Sequence, residues 1–256
     1  MKNSTILTPF FLDKPVPGLM PLHKAGWQIN QPSLPEGDVQ TRMSSIHAPL
    51  ANFVSNAVLN KDRPISIAGD CCTAIAVLAG LQRAGIDPLL IWFDAHGDFN
   101  TWETTPSGFL GGMPLAMLVG KGEQTMPKAV GLKSQPENRV ILSDARDLDP
   151  GERELIKNSR LTHLSKIDSL IDFDIPDVPI YIHFDTDLVT AEESPAQNYS
   201  VKGGPTTKMV QAVFDHLTQT RKIIAVSLSA WNPDLDEGRK SESVSMSLLQ
   251  TLVGEV

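Results

Sequence analysis

The chain has 256 residues, a formal net charge of -8 and two cysteines. That length supports a sizeable buried core, and an acidic balance with no basic run argues against a nucleic-acid surface. Nothing approaches the roughly 18 consecutive apolar residues that a membrane span needs.

The N-terminal stretch MKNSTILTPFFLDKPVPG holds an apolar patch broken by proline and lacks a small-residue cleavage site, so it does not read as a signal peptide. A helix is expected over 40–59, then a strand over 64–68, a helix over 72–84 and a strand over 88–93. A short helix at 113–119 precedes strands at 139–142 and 161–164, with a helix over 151–158 between them. The last two strands, 179–184 and 222–228, flank a helix over 206–220, and a helix over 241–252 follows. Thr206 or Thr207, after Gly-Gly-Pro, suits the cap of the 206–220 helix. Pro, Gly or charged residues bound each strand, as they do for buried strands.

Alternating strands and helices imply an α/β fold with a parallel sheet covered on both faces. No linker or repeat divides the chain, so one domain over 1–256 is expected. Such sheets bind ligands outside the carboxyl ends of their strands. Cys71 and Cys72 are adjacent and poorly placed to bridge each other. Two cysteines in so long a chain also fit a reducing compartment, so a cytoplasmic location is expected.

Two strands end in polar clusters. IWFDAHGDFN sets Asp94, His96 and Asp98 at alternate positions, and YIHFDTDLV does the same with His183, Asp185 and Asp187. In extended backbone each set shares a face. Four aspartates at two strand ends repel unless cations neutralise them. Carboxylates with imidazole suit divalent metals, manganese especially and also zinc, iron or nickel. Aspartates bridging two ions would make a hydrolytic site that activates water. One such motif alone could be an ordinary strand-to-loop cap; two on neighbouring strand ends argue against that.

DAHGD and HFDTD resemble the metal motifs of the arginase/agmatinase/formimidoylglutamase ureohydrolases, and Ala68-Gly69-Asp70-Cys71 resembles their Gly-Gly-Asp-His segment. The likeness keeps order and spacing from about residue 64 to residue 235. It implies a three-layer α/β/α fold with a central, mainly parallel eight-stranded sheet, assembled as a homo-oligomer, trimer or hexamer. It also implies two divalent metals, manganese in the family. Asp94 and Asp185 would bridge the ions, Asp98 would complete one position, and His96 with Asp187 the other. Asn100, Thr105 and Ser107, in FNTWETTPSG, fall where arginases hold the substrate α-carboxylate. Asp149 in ARDLDPGE would hold the α-ammonium, with Asp147 and Glu152 in support. Hydroxyl and amide donors suit a carboxylate, and an acid suits an ammonium.

Three positions depart from the family. Cys71 stands where a metal-binding histidine is expected, and its softer sulfur favours zinc or iron over manganese. Gly111 replaces a histidine, which leaves the pocket more room. Ala230 replaces the glutamate that faces the guanidinium, and a buried guanidinium without a carboxylate is costly. Ala230 favours a less basic analogue and Gly111 leaves space for an extra polar atom; Nω-hydroxyarginine meets both demands, and the chain resembles a Cys-containing branch of hydroxyarginine hydrolases.

The expected activity is therefore metal-dependent hydrolysis of a guanidino or amidino C–N bond on an α-amino acid, by water activated at the metals. Asp98 would relay the proton to the departing amine, and Asp187 would help stabilise the transition state. The partner is a small molecule, neither nucleic acid nor membrane. The alternative is a catalytically impaired relative that binds an amino acid or a subunit partner. His183 lies one step deeper in its strand and reads as a core or supporting histidine rather than a ligand. Cys72 reads as packing, and His23, His47, His163 and His216 lack acidic neighbours at ligand spacing. Trp231 suits either a pocket wall or the core, and Glu192 with Glu193 a solvated charge pair.

Overall fold

The computed structural model describes residues 1–255. Its sheet contains β1 (Asn3–Thr8), β2 (Gln28–Ile29), β3 (Arg63–Ala68), β4 (Leu89–His96), β5 (Val140–Asp147), β6 (Thr162–Leu164), β7 (Ile180–Asp185) and β8 (Ile223–Ser229). The order across the sheet is β2-β1-β3-β8-β7-β4-β5-β6, and every neighbouring pair is parallel. The six strands read from the pattern are all present. β1 and β2, which complete the eight, were hidden by the proline-broken N-terminal patch and by the two-residue length of β2.

The helices are α1 (Val39–Leu59), α2 (Ala74–Arg83), α3 (Pro114–Leu118), α4 (Thr125–Ala129), α5 (Pro150–Lys157), α6 (Ser169–Asp172), α7 (Thr207–Thr220) and α8 (Lys240–Val253). α4 and α6 span a turn or so, too short to show a helical period. Asp38 caps α1 by accepting the Thr41 N–H at 2.8 Å, and Thr206 caps α7 by accepting that of Met209. α1 and α2 approach closely at Gly80, where a Cβ would lie 2.6 Å from the Ala51 carbonyl oxygen.

Strand alternation feeds two cores. On β4, Leu90 and Trp92 join the apolar cluster beneath α1 to α5, while Leu89, Ile91 and Phe93 join the one beneath α6 to α8. All of β7 and β8 is buried, as befits central strands of a parallel sheet covered on both faces. The central strands β3, β8, β7 and β4 release their carboxyl ends side by side. β4 runs further than expected: its pairing with β5 continues through the polar motif to His96, with a register shift after Asp94. Among the described residues no helix is long and apolar enough to cross a membrane.

Candidate active site

Both aspartate motifs are organised by one local turn. Asp94 Oδ1 accepts the backbone N–H of His96 at 2.7 Å, and Asp185 Oδ1 accepts that of Asp187 at 2.8 Å. In each case a carboxylate ties down the residue two positions on. The motifs then lock together. Asp187 Oδ1 accepts the Ala95 N–H at 3.1 Å, and its Oδ2 lies 3.0 Å from His96 Nδ1. Trp92 Nε1 donates to Asp94 Oδ2 at 3.1 Å. Asp98, buried on the loop after β4 with φ 50°, faces the same cavity.

The charges respond to this crowding. Burial, then the charge on Asp187, raises Asp94 to about 6. Burial and Asp94 hold Asp98 well above the carboxylate range, and burial with Asp187 and Asp94 does the same to Asp185. Asp187 differs: burial opposes its charge, but the hydrogen bond from His96 keeps it below the ordinary value. Burial likewise opposes charge on His96, yet its bonds to Asp187 and Asp94 push it up to about 12. Among the described residues, His96 is the basic side chain that pairs with Asp94 and Asp187.

Cys71 joins the cluster from the loop after β3. Its thiol donates to Asp185 Oδ2 at 2.8 Å and lies 3.1 Å from Ser229 Oγ. Burial, reinforced by Asp185, Asp98 and Asp94, pushes the thiol well above its usual range. Cys72 turns away into the core, as expected of a packing residue, and Asp70 caps the turn by accepting its N–H at 2.9 Å. Both cysteines are free.

The donors present fit divalent cations. Among the described residues, four buried carboxylates gather near the imidazoles of His96 and His183, and Asp98 Oδ2 is buried with no hydrogen-bond partner. Two donor sets share Asp94: with His96 and Asp187, and with Cys71 and His183; within each, one ligand atom per residue lies within 4.8 Å of the others. Clustered oxygen and nitrogen donors of this kind suit manganese, and the sulfur draws the choice towards zinc or iron.

Above the cluster opens a cavity of about 390 Å³ whose wall includes Asn100, Thr105, Ser107, Asp147 and Asp149. Asn100 Nδ2 donates to Asp149 Oδ2 at 2.9 Å. Thr105 Oγ1 accepts the Gly108 N–H at 3.1 Å, and Ser107 Oγ accepts that of Phe109 at 3.2 Å. The two hydroxyls lie 3.3 Å apart, so at most one proton is spent between them and a donor remains for an anion. Glu152 accepts the N–H groups of Phe99 and Asp149 at 2.8 and 3.2 Å, while burial raises it to about 7. Gly97 makes this possible, because a Cβ there would lie 2.5 Å from Glu152 Oε1.

The extra room expected beside Gly111 is not empty. The Phe109 ring fills it, and a Cβ on Gly111 would lie 2.4 Å from ring carbons Cε1 and Cζ. Phe109 stacks on Phe11, with centroids 6.2 Å apart, and leans on Tyr199 at 5.1 Å. All three line the cavity. Ala230, at φ 69° just past β8, also lines it and brings no carboxylate.

Sequence reasoning missed this aromatic wall, whose members come from three distant segments with no shared motif. It also passed over Arg146. That guanidinium pairs with Asp144 and donates to the carbonyls of Asp187 and Leu188 at 3.0 and 3.1 Å, pinning the loop after HFDTD. Its position inside ARDLDPGE was the available signal. His183 is deeply buried, as its strand position implied, and burial lowers it to about 3, so it is neutral. His183 nonetheless falls within one of the two donor sets.

A sequence model of the Arginase family matches residues 27–254. The arginase of Bacillus subtilis (strain 168) is 30% identical over 243 residues, covering 89% of this chain and 82% of the relative. The N(omega)-hydroxy-L-arginine amidinohydrolase of Streptomyces lavendulae is 32% identical over 182 residues, covering 70% of this chain and 64% of the relative. The crystal structure of Bacillus subtilis arginase superposes with a TM-score of 0.83 at 25% identity, covering 100% of this chain and 99% of that one. Bacillus subtilis formimidoylglutamase shares the fold at 12% identity, with a TM-score of 0.73 and coverage of 98% and 86%. Fold and sequence together define a ureohydrolase-type hydrolase. The chain belongs to the arginase family.

Proposed function

We propose that this chain is a metal-dependent hydrolase that cleaves a C–N bond of a guanidino or amidino group on an α-amino acid. One juxtaposition carries the reading: a buried cluster of four aspartates forms part of the same cavity wall as Asn100, Thr105, Ser107 and Asp149. Two divalent ions would be held by residues drawn from Cys71, Asp94, His96, Asp98, Asp185 and Asp187. Such ions, when bound, activate water for attack and offset the charge that develops at the amidino carbon.

The chain's own groups do the rest. The free hydroxyl proton of the Thr105–Ser107 pair and the amide of Asn100 bind the α-carboxylate, and Asp149 binds the α-ammonium. Asp98, whose second oxygen has no protein donor, carries a proton from the water to the departing amine. Asp187 helps to stabilise the transition state, its negative charge set against the cationic amidino group. The products are a urea-type fragment and an amine such as ornithine. Free, buried Cys71 and Cys72 suit the reducing cytoplasm as the place of action.

Within this class Nω-hydroxyarginine is the favoured substrate. Ala230 offers a guanidinium no carboxylate, and N-hydroxylation lowers basicity and with it the cost of burial. The Streptomyces lavendulae relative carries that substrate in its name. Purified, metal-loaded protein is offered hydroxyarginine, arginine, agmatine, guanidinobutyrate and formiminoglutamate. Chelator-sensitive amine release is expected, with the highest kcat/KM for hydroxyarginine; no amine from any of them overturns the proposal.

A further inference from the structure

One step below the aspartates, register aligns Ser227, His183 and Trp92 side by side across β8, β7 and β4. All three are buried. The His183 ring stacks on Trp92 with centroids 3.7 Å apart, and Trp92 is also the donor to Asp94 Oδ2. One side chain thus orients both the imidazole and the carboxylate.

His183 Nδ1 lies 2.8 Å from Ser227 Oγ, which is itself 2.7 Å from the Tyr181 hydroxyl. Ser227 can accept from Nδ1–H while donating to Tyr181, and that tautomer leaves the lone pair on Nε2. Among the described residues, the hydrogen-bond contact at Nε2 is Ser229 Oγ at 3.4 Å, too long to engage it strongly. Histidines that bind metals commonly donate their other ring N–H to a fixed acceptor, which fixes the tautomer and the ring orientation. Ser229 also touches the Cys71 thiol, and one ligand atom each from Cys71, Asp94 and His183 lies within 4.8 Å of the others.

We infer that His183, through Nε2, completes a sulfur–nitrogen–oxygen metal position with Cys71 and Asp94, and that this position selects zinc or ferrous iron over manganese. The inference rests on the metal-dependent reading of the site. It makes the two positions chemically unlike, since the set of Asp94, His96 and Asp187 has no sulfur. Binding at the sulfur position releases to solvent the proton that Cys71 now donates to Asp185.

Cobalt(II) titration of the whole, metal-free chain tests it. A thiolate-to-cobalt charge-transfer band in the near ultraviolet should rise and saturate at one ion per chain, and zinc should quench it at far lower concentration than manganese. Cys71→Ser should abolish the band. His183→Gln should weaken that ion by about 10-fold or more, and Ser227→Ala, which keeps all three donors, by about 10-fold, the other ion being unaffected. Cobalt binding without a thiolate band, or parental affinity for every ion in both His183→Gln and Ser227→Ala, would overturn the inference and leave the metal-dependent reading standing. Failure of the parent chain to bind any divalent ion would overturn both.

Discussion

The ring of Phe109 covers the Cα of Gly111, so that a methyl group there would meet Cε1 and Cζ at 2.4 Å. Gly111 is thus required by its aromatic neighbour and does not mark a vacancy. Gly111→Ala should force the ring out of its contacts with Phe11 and Tyr199 and destabilise the fold by about 1 kcal/mol, the worth of aromatic packing. In a Phe109→Ala background the same substitution should cost almost nothing. Urea unfolding of the two single variants and the double variant measures the coupling, and purely additive effects would contradict the contact.

Asp98 Oδ2 is buried without a donor, beside other carboxylates. Asp98→Asn should therefore stabilise the chelated protein, because an amide carries no ionisable charge for burial and the neighbouring carboxylates to oppose. The same variant should lose amine release. Thermal melts of chelated and metal-loaded samples check both halves: metal should raise the parent's Tm and raise that of the variant far less.

His47 reports on acid stability away from the site. It is buried on α1, its Nδ1 has no partner among the described residues, and burial lowers it from 6.5 to about 4. The unfolded chain takes up this proton first, so the term is absent above about pH 6.5, grows as pH falls, and is complete below about 4. At about 1.4 kcal/mol per pH unit the loss is about 3 kcal/mol across that window. His47→Gln should remove this part of the pH dependence. Denaturant unfolding of parent and variant at pH 7, 5.5 and 4.5 gives the difference, which should shrink towards acid.

Asn100, Ser107 and Asp149 act on the amino-acid end of the substrate in this account. Ser107→Ala and Asn100→Ala should each raise KM for an α-amino-acid substrate by about 10-fold, the worth of a charge-assisted hydrogen bond, with kcat little changed. Agmatine, which has no α-carboxylate, should show no such penalty. Equal effects on both substrates would place these residues in folding instead of recognition.

Part of this was legible in the residues themselves. DAHGD and HFDTD declared their chemistry because alternate positions share a face and the n to n+2 turn is local. Six strands were visible as bounded apolar runs, and eight followed only from family resemblance. What stayed hidden depends on tertiary neighbours. The use of His183 turns on Trp92 and Ser227 lying beside it in register, which no single segment encodes. Phe11, Phe109 and Tyr199 meet only once β-strand order brings three loops to one rim. Arg146 acts on backbone carbonyls, and no pattern of side chains announces that.

If the aspartate cluster is a two-ion centre built for hydrolysis, its ions and its activity should be inseparable. Elemental analysis of the full chain, loaded with manganese or zinc and then dialysed, tests it most directly. Two ions per chain are expected, falling together with amine release on chelation. Less than one ion per chain, with amino-acid binding that survives chelation, would contradict it.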